Sequence, residues 1–185
     1  MSPVTHFFIS RLTANADKLE KRDRALVTIA GVIPDIDGLG IIADIFMRNA
    51  NEPFKWYQQF HHVLTHNLAF SLIVTIAVFS FAKKRTLAAL LAFASFHLHL
   101  LGDLAGSAGP EGSLWSIPYF WPLSNVEFTW SGQWELNAWQ NIVITAIAIG
   151  ILIFLSWRRG YSPLEIFSTK ADKAFVEVLR RRFGF

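Results

Sequence analysis

Three apolar runs in this chain are each bounded by basic residues, and this pattern constrains the fold more than any other feature. NLAFSLIVTIAVFSFA (67–82) carries no charge and stops at Lys83, Lys84 and Arg85. TLAALLAFASFHLHLLGD (86–103) runs back and ends on two histidines and an aspartate, and AWQNIVITAIAIGILIFLSW (138–157) stops at Arg158 and Arg159. Continuous apolar runs of this kind read as helices surrounded by hydrocarbon, where only helices or closed barrels satisfy their own backbone groups. The first run has 16 residues, roughly 24 Å as a helix, which is short for a hydrocarbon core of about 30 Å. Its flanking residues therefore belong at the interface.

Composition agrees. Of 185 residues 52% are hydrophobic and the mean hydropathy is +0.35, too apolar for an ordinary soluble domain. The fold class expected is an all-α integral membrane bundle of three to four spans, with a His/Asp metal site at one end. The expected division is a membrane-embedded domain over 1–160 and a basic amphipathic tail over 161–185. The absence of cysteine excludes disulfides, thiolate catalysis and Cys-type zinc sites. The N-terminus lacks the basic start, apolar core and small-residue site of a cleaved signal peptide, so none is expected. The net charge of +3 is modest and grouped, which points to membrane lipid headgroups rather than nucleic acid as partner.

Residues 3–20 read as a short helix. ALVTIAGVIPDIDGLGIIADIFM (25–47) is apolar, but Pro34, Asp35, Asp37 and glycines interrupt it, so a continuous helix is not expected there. Residues 48–60 form a polar, aromatic connector. The loop 104–137 contains no lysine or arginine, so the positive-inside rule puts 83–85 and 158–185 in the cytoplasm and this loop outside. Lys18, Lys21, Arg22 and Arg24 also prefer the cytoplasm, which requires the interrupted segment to cross once. Trp115, Tyr119, Phe120, Trp121, Phe128, Trp130 and Trp134 in the outer loop read as an interfacial aromatic belt or as the lining of a lipid groove. In the tail, Leu164, Phe167, Ala171, Ala174, Phe175, Val178 and Leu179 share one helical stripe, as expected of a helix lying on the inner leaflet or of a solvated basic helix.

Four groups of residues bear chemistry: His6; Asp35 and Asp37 in IPDID; His61, His62 and His66; and His97, His99 and Asp103 in HLHLLGD. Singly, each has a plain reading as a turn, a cap or a hydrogen-bonded span residue. Together they put imidazoles and carboxylates at one membrane level, where ionisable groups are costly and by default functional. His99 and Asp103 are four apart and so share a helix face, as do His62 and His66 if that stretch is helical. His61 and His66 converge only if His61 lies at or before the helix start. Asp35 and Asp37 point to the same side if their stretch is extended. Imidazole with carboxylate suits a divalent metal: zinc, manganese or iron. Two histidines on adjacent spans also suit a b-type haem, although a haem needs no aspartates at its level.

The order of these motifs resembles the bacterial inner-membrane metal-dependent hydrolases, the family that includes the LexA-regulated inner-membrane protein. More distantly it is similar to zinc-dependent phospholipase C. The resemblance is carried by His6, IPDID (33–37), HHVLTHN (61–67), HLLGD (99–103) and PYFWP (118–122). It implies metal ligation by His6, Asp35, Asp37, His61, His66, His99 and Asp103, with zinc the expected metal and two or more ions accommodated. It further implies hydrolysis of a lipid or phosphoester-type substrate by metal-activated water, with Asp35 or Asp37 as general base. His62 stands where the family has arginine, Val63 where it has glycine and Asn67 where it has serine, while His97 has no counterpart. An arginine can clamp phosphate bidentately and a histidine cannot. The competing class is a non-catalytic membrane protein with a structural or sensory metal site. A transporter would repeat its spans, and no repeat is visible.

Overall fold

The structure is a computed structural model, and it describes residues 1–49, 55–61, 63–109 and 112–184. His62 lies outside the described residues. The elements are helical: α1 (Pro3–Ala14), α2 (Lys21–Ala30), a 3-10 helix (Ile33–Leu39), α3 (Gly40–Met47), α4 (Trp56–Phe60), α5 (Leu68–Phe81), α6 (Arg85–Gly106), α7 (Trp139–Arg159), a second 3-10 helix (Pro163–Ile166) and α8 (Thr169–Phe183). Two isolated bridges, Ala108 with Glu135 and Ile117 with Phe128, are the only strand-like pairings among the described residues.

The centre is α6, which packs on α1, α2 and α5. Its inner face is small where helices approach closely: Ala88, Ala92 and Ser95 are buried, and Phe96 and Leu100 fill the space beyond them. Small residues at a helix interface let backbones approach, and that contact holds helices together where lipid removes the hydrophobic drive. At the α2 end, a Cβ on Gly31 would collide with Ser10 Oγ and Ser95 Oγ, so only glycine permits three helices to meet there. Large apolar side chains project outward, among them Ile73, Ile76 and Phe81 on α5 and Trp139, Ile142 and Phe154 on α7.

By length and composition, α6 and α7 are long and apolar enough to cross a membrane; α2 with the 3-10 helix and α3 makes a third candidate, bent by 51°. The bend falls where the glycine and proline interruptions of 25–47 predict it. Helix α5 has 14 residues and is apolar, but too short to count alone.

Most of the basic residues gather at one end. Lys83 pairs with Glu20 at 2.6 Å, Lys84 Nζ donates to the Lys18 carbonyl at 2.8 Å, and Arg159 donates to the Asn15 carbonyl at 2.6 Å. There the buried Asp23 accepts the backbone amides of Lys83 and Lys84, both at 2.9 Å, which fixes the α5–α6 turn against α2. The hairpin of α1 and α2 thus puts Lys18 and Lys21 beside the 83–85 turn, and the bent segment runs away from it.

The C-terminal segment departs from the expected stripe. A break at Phe167–Ser168 separates the 3-10 helix from α8, leaving Phe167 and Val178 exposed, while Asp172, Val176 and Leu179 face inward. Glu165 is buried between Arg11 and Arg24, bonded to Arg24 at 2.6 and 2.7 Å and to Arg11 more closely still. Arg24 also lies over the Tyr161 ring at 3.6 Å. Burial alone would raise the Glu165 carboxyl, but hydrogen bonds from Arg24 and Arg11 outweigh it and hold the carboxyl below its ordinary range.

Candidate metal centre

At the end opposite the basic cluster, histidines and aspartates from three segments converge. Asp35 arrives on the first 3-10 helix, His66 just before α5, and His99 and Asp103 on successive turns of α6. One ligand atom from each of these four lies within 4.8 Å of the others. The spacings include 3.0 Å from His99 Nε2 to Asp103 Oδ2, 3.2 Å between the two Nε2 atoms and 3.6 Å from His99 Nε2 to Asp35 Oδ1. His66, His99 and Asp103 are fully buried, while Asp35 keeps 16% of its side chain exposed.

The outer hydrogen bonds set how the imidazoles face. His99 Nδ1–H donates to the Gly31 carbonyl at 2.9 Å, which turns its Nε2 lone pair inward. His66 Nδ1–H points to Asp37 Oδ2 at 3.3 Å with the same consequence. Orienting a ligand histidine by its other ring nitrogen is the usual support of a metal site. Two inward imidazole nitrogens and two carboxylates so close together repel each other unless a cation lies among them. The Met1 N-terminal ammonium bonds Asp103 Oδ1, and although burial opposes protonation of His66, Asp103 and Asp37 outweigh burial and push its imidazole up to about 9. Asp35 Oδ2 is buried without a hydrogen-bond partner among the described residues, and a cation would satisfy it. The donor set therefore fits a divalent ion.

The other three expected ligands adjoin the group. His6 stacks on His99 with ring centroids 3.7 Å apart and donates from Nε2 to Asp103 Oδ1 at 2.9 Å. Asp37 accepts from His61 Nδ1 at 2.8 Å and from His66, so it bridges the two histidines. Asp35 and Asp37 do not point the same way, because their stretch is a 3-10 helix and not an extended strand. Thr65 Oγ1 donates to the Pro34 carbonyl and ties that helix to the histidine loop. His61 and His66 both precede α5, and their rings lie 5.7 Å apart at 87°. Residues 63–66 are not helical; the His62–His66 spacing involves His62, which lies outside the described residues. Among the described residues no second group of three such ligand atoms converges.

The positions that depart from the family pattern also find roles. Asn67 caps α5, accepting the Phe70 amide at 2.8 Å and donating to the Val63 and Leu64 carbonyls, as a capping serine would in part. His97 faces away from the centre. Its Nδ1–H donates to the Phe93 carbonyl and its Nε2 accepts from the Tyr119 hydroxyl, both at 2.8 Å, which anchors the outer loop to α6.

Three contributors are not singled out by sequence. Asp44 accepts the Trp56 and Tyr57 amides at 2.6 and 2.9 Å and so holds the short α4 that delivers His61. Gln133 donates to the Asp103, Leu104 and Trp115 carbonyls, fastening the loop over the end of α6. Tyr57 stacks on His61 at 4.4 Å, and with Trp115 it lines an open cavity of about 720 Å³ that reaches Asp35. Burial, then Asp35, Asp37 and Asp103, raise the Tyr57 phenol above its ordinary range, so it stays a neutral donor. The aromatic loop thus divides its work: Trp115 lines the cavity, while Phe120, Phe128 and Trp130 stay exposed as an interfacial belt would.

A family model described as the YdjM inner membrane protein matches residues 1–171. The chain belongs to the YdjM inner membrane protein family. No curated protein and no solved structure matches it. The match spans every residue of the candidate centre and covers the first three residues of α8.

Proposed function

We propose that this YdjM-family protein is a multi-pass inner-membrane hydrolase that uses one divalent ion, zinc by its donor set, held by Asp35, His66, His99 and Asp103. The observation that carries this reading is Asp35, which belongs to the buried four-residue group and also lines the cavity. A structural ion needs no such opening, and catalytic metal sites keep one position for water or substrate. When bound, the ion supplies a Lewis acid that activates water at neutral pH, so no serine or cysteine nucleophile is needed.

The chain's own residues do the rest. Asp37 holds His66 and His61 in orientation, while His6 braces Asp103. Asp37 is engaged by both histidines, so of the two predicted aspartates only Asp35, through the Oδ2 left without a hydrogen bond among the described residues while Oδ1 faces the ion, is placed to take a proton from water. Tyr57 is a neutral hydroxyl donor on the cavity wall. The basic end lies in the cytoplasm and the centre near the outer interface. On α6, Arg85 and His99 are 14 residues apart, about 21 Å of helix. A lipid-like substrate then reaches the cavity from the bilayer.

The test is hydrolysis of lipid-type esters and phosphodiesters by purified, metal-replete protein, with and without chelator. Chelator-sensitive turnover that is lost in Asp35→Asn supports the reading; metal bound with no turnover on any such substrate assigns the ion a structural role.

A further inference from the structure

The positive charge of this chain is concentrated in its C-terminal segment. Residues 158–185 hold seven lysines and arginines against three acidic residues, a net +4; the whole chain holds 17 against 14, so residues 1–157 hold ten against eleven, a net −1. Two of the three acids are committed to the fold. Glu165 is buried between Arg11 and Arg24, and the buried Asp172 accepts from the Ser162 hydroxyl at 2.7 Å. Glu177 pairs with Arg181 at 2.5 Å. Arg158, Lys170, Lys173 and Arg182 are exposed and make no ion pair among the described residues. The family match stops at residue 171, so most of α8 and its charge lie beyond it.

Both ends of α8 are tied to the basic ends of candidate spans. At its start Thr169 Oγ1 accepts from Lys21 Nζ at 2.6 Å, where α2 begins; past its end the Gly184 carbonyl accepts from Trp157 Nε1 at 3.0 Å, where α7 finishes. Its 15 residues, about 22 Å of helix, join two points at one membrane level, so α8 lies along the membrane surface. Val176 and Leu179 turn inward, while Phe167, Val178 and Phe183 are left 74%, 61% and 67% exposed. Large apolar side chains are costly in water. Interleaved with cations at this level, they match the boundary between lipid headgroups and hydrocarbon, where the apolar part inserts and the charge stays with phosphate. An acidic protein or a nucleic acid would answer the cations and not the phenylalanines.

We infer that α8 docks on anionic phospholipid of the inner leaflet: Phe167, Val178 and Phe183 enter the headgroup boundary, and Arg158, Lys170, Lys173 and Arg182 pair with lipid phosphates. The leaflet follows from the cytoplasmic assignment of the basic end. The dock is separate from the metal centre at the opposite end and needs neither ion nor turnover.

Because the chain has no cysteine, Ala174→Cys on the exposed face of α8 gives the full-length protein one attachment point for an environment-sensitive fluorophore. The labelled protein in neutral detergent is titrated with dioctanoyl phosphatidylglycerol or dioctanoyl phosphatidylcholine, which share their chains and differ in headgroup charge. The anionic lipid is expected to half-saturate the signal at roughly tenfold lower concentration, since each surface cation is worth about fivefold. This preference is expected to vanish in Lys170→Glu with Lys173→Glu. It is expected to shrink severalfold in about 0.5 M sodium chloride with both lysines in place. Val178→Ser with Phe183→Ser is expected to weaken both lipids alike and keep their ratio. Equal half-saturation by the two lipids overturns the inference, as does a preference that survives charge reversal or salt. So does unchanged binding of both lipids in Val178→Ser with Phe183→Ser. Glycerol phosphate, the headgroup without chains, competing as well as the whole lipid overturns it too, and so does a short DNA duplex that displaces the lipid at lower concentration.

Discussion

His99 Nε2 lies 3.0 Å from Asp103 Oδ2 one helical turn away, while its Nδ1–H is held by the carbonyl of Gly31 at 2.9 Å. The centre therefore depends on how closely α2 approaches α6, since Gly31 is the last point of contact before the chain bends. Gly31→Ala is expected to destabilise the protein by about 1–3 kcal/mol, because the new Cβ collides with Ser10 and Ser95. Thermal unfolding in detergent measures the loss, and zinc affinity is expected to fall with it as His99 loses its carbonyl partner.

Asp37 acts on the ion through His66. Asp37→Asn keeps an acceptor for one of the two histidines but removes the charge that holds both. Zinc affinity is expected to drop about 10–100-fold in a competition titration, while the fold is retained. Removal of a direct ligand in His66→Ala is expected to abolish stoichiometric binding.

Zinc uptake should depend on pH with a definite sign. The His66 imidazole is pushed up to about 9, so below that pH binding must displace its proton. Apparent zinc affinity is expected to rise about tenfold per unit between pH 6 and 8, and to flatten as pH approaches 9. Isothermal titration in buffers of different ionisation heat counts the released proton.

The Arg11–Glu165–Arg24 cluster predicts acid sensitivity at the other end of the molecule. Glu165 has a folded-state pKa below its unfolded value of about 4.3. Its contribution is complete above that value and is lost as pH falls through the folded value. Glu165→Gln is expected to reduce the acid dependence of unfolding. Glu165→Ala, which strands two buried guanidinium groups, is expected to cost about 3–5 kcal/mol.

Much of the centre was legible because its chemistry is written in spacing. His99 and Asp103 share a face by helical period alone, and 25–47 bends where Pro34 and the glycines break it. The resemblance drew His6, Asp35 and His66 to the same place before any contact was known. What remained hidden depends on backbone path rather than periodicity. The 3-10 turn sends Asp35 and Asp37 to different partners, and the non-helical 63–66 stretch lets His61 and His66 meet across a corner. Gly31 gives no chemical signal in sequence because it acts through a carbonyl and a missing side chain. Tyr57 lies in a stretch that reads only as a polar, aromatic connector, and Trp115 in a loop that reads as a belt or a groove lining; the cavity they share joins them. The tail stripe failed at Ser168, which starts α8 as its cap and so breaks the helical period.

The central claim is that Asp35, His66, His99 and Asp103 hold a metal. Elemental analysis of purified protein tests it directly, wild type beside His66→Ala and Asp103→Ala, all prepared under metal-replete conditions and checked for folding. One divalent ion per wild-type chain and none in either folded variant is the predicted result. Wild-type protein without stoichiometric metal, or variants that retain it in full, would contradict the account.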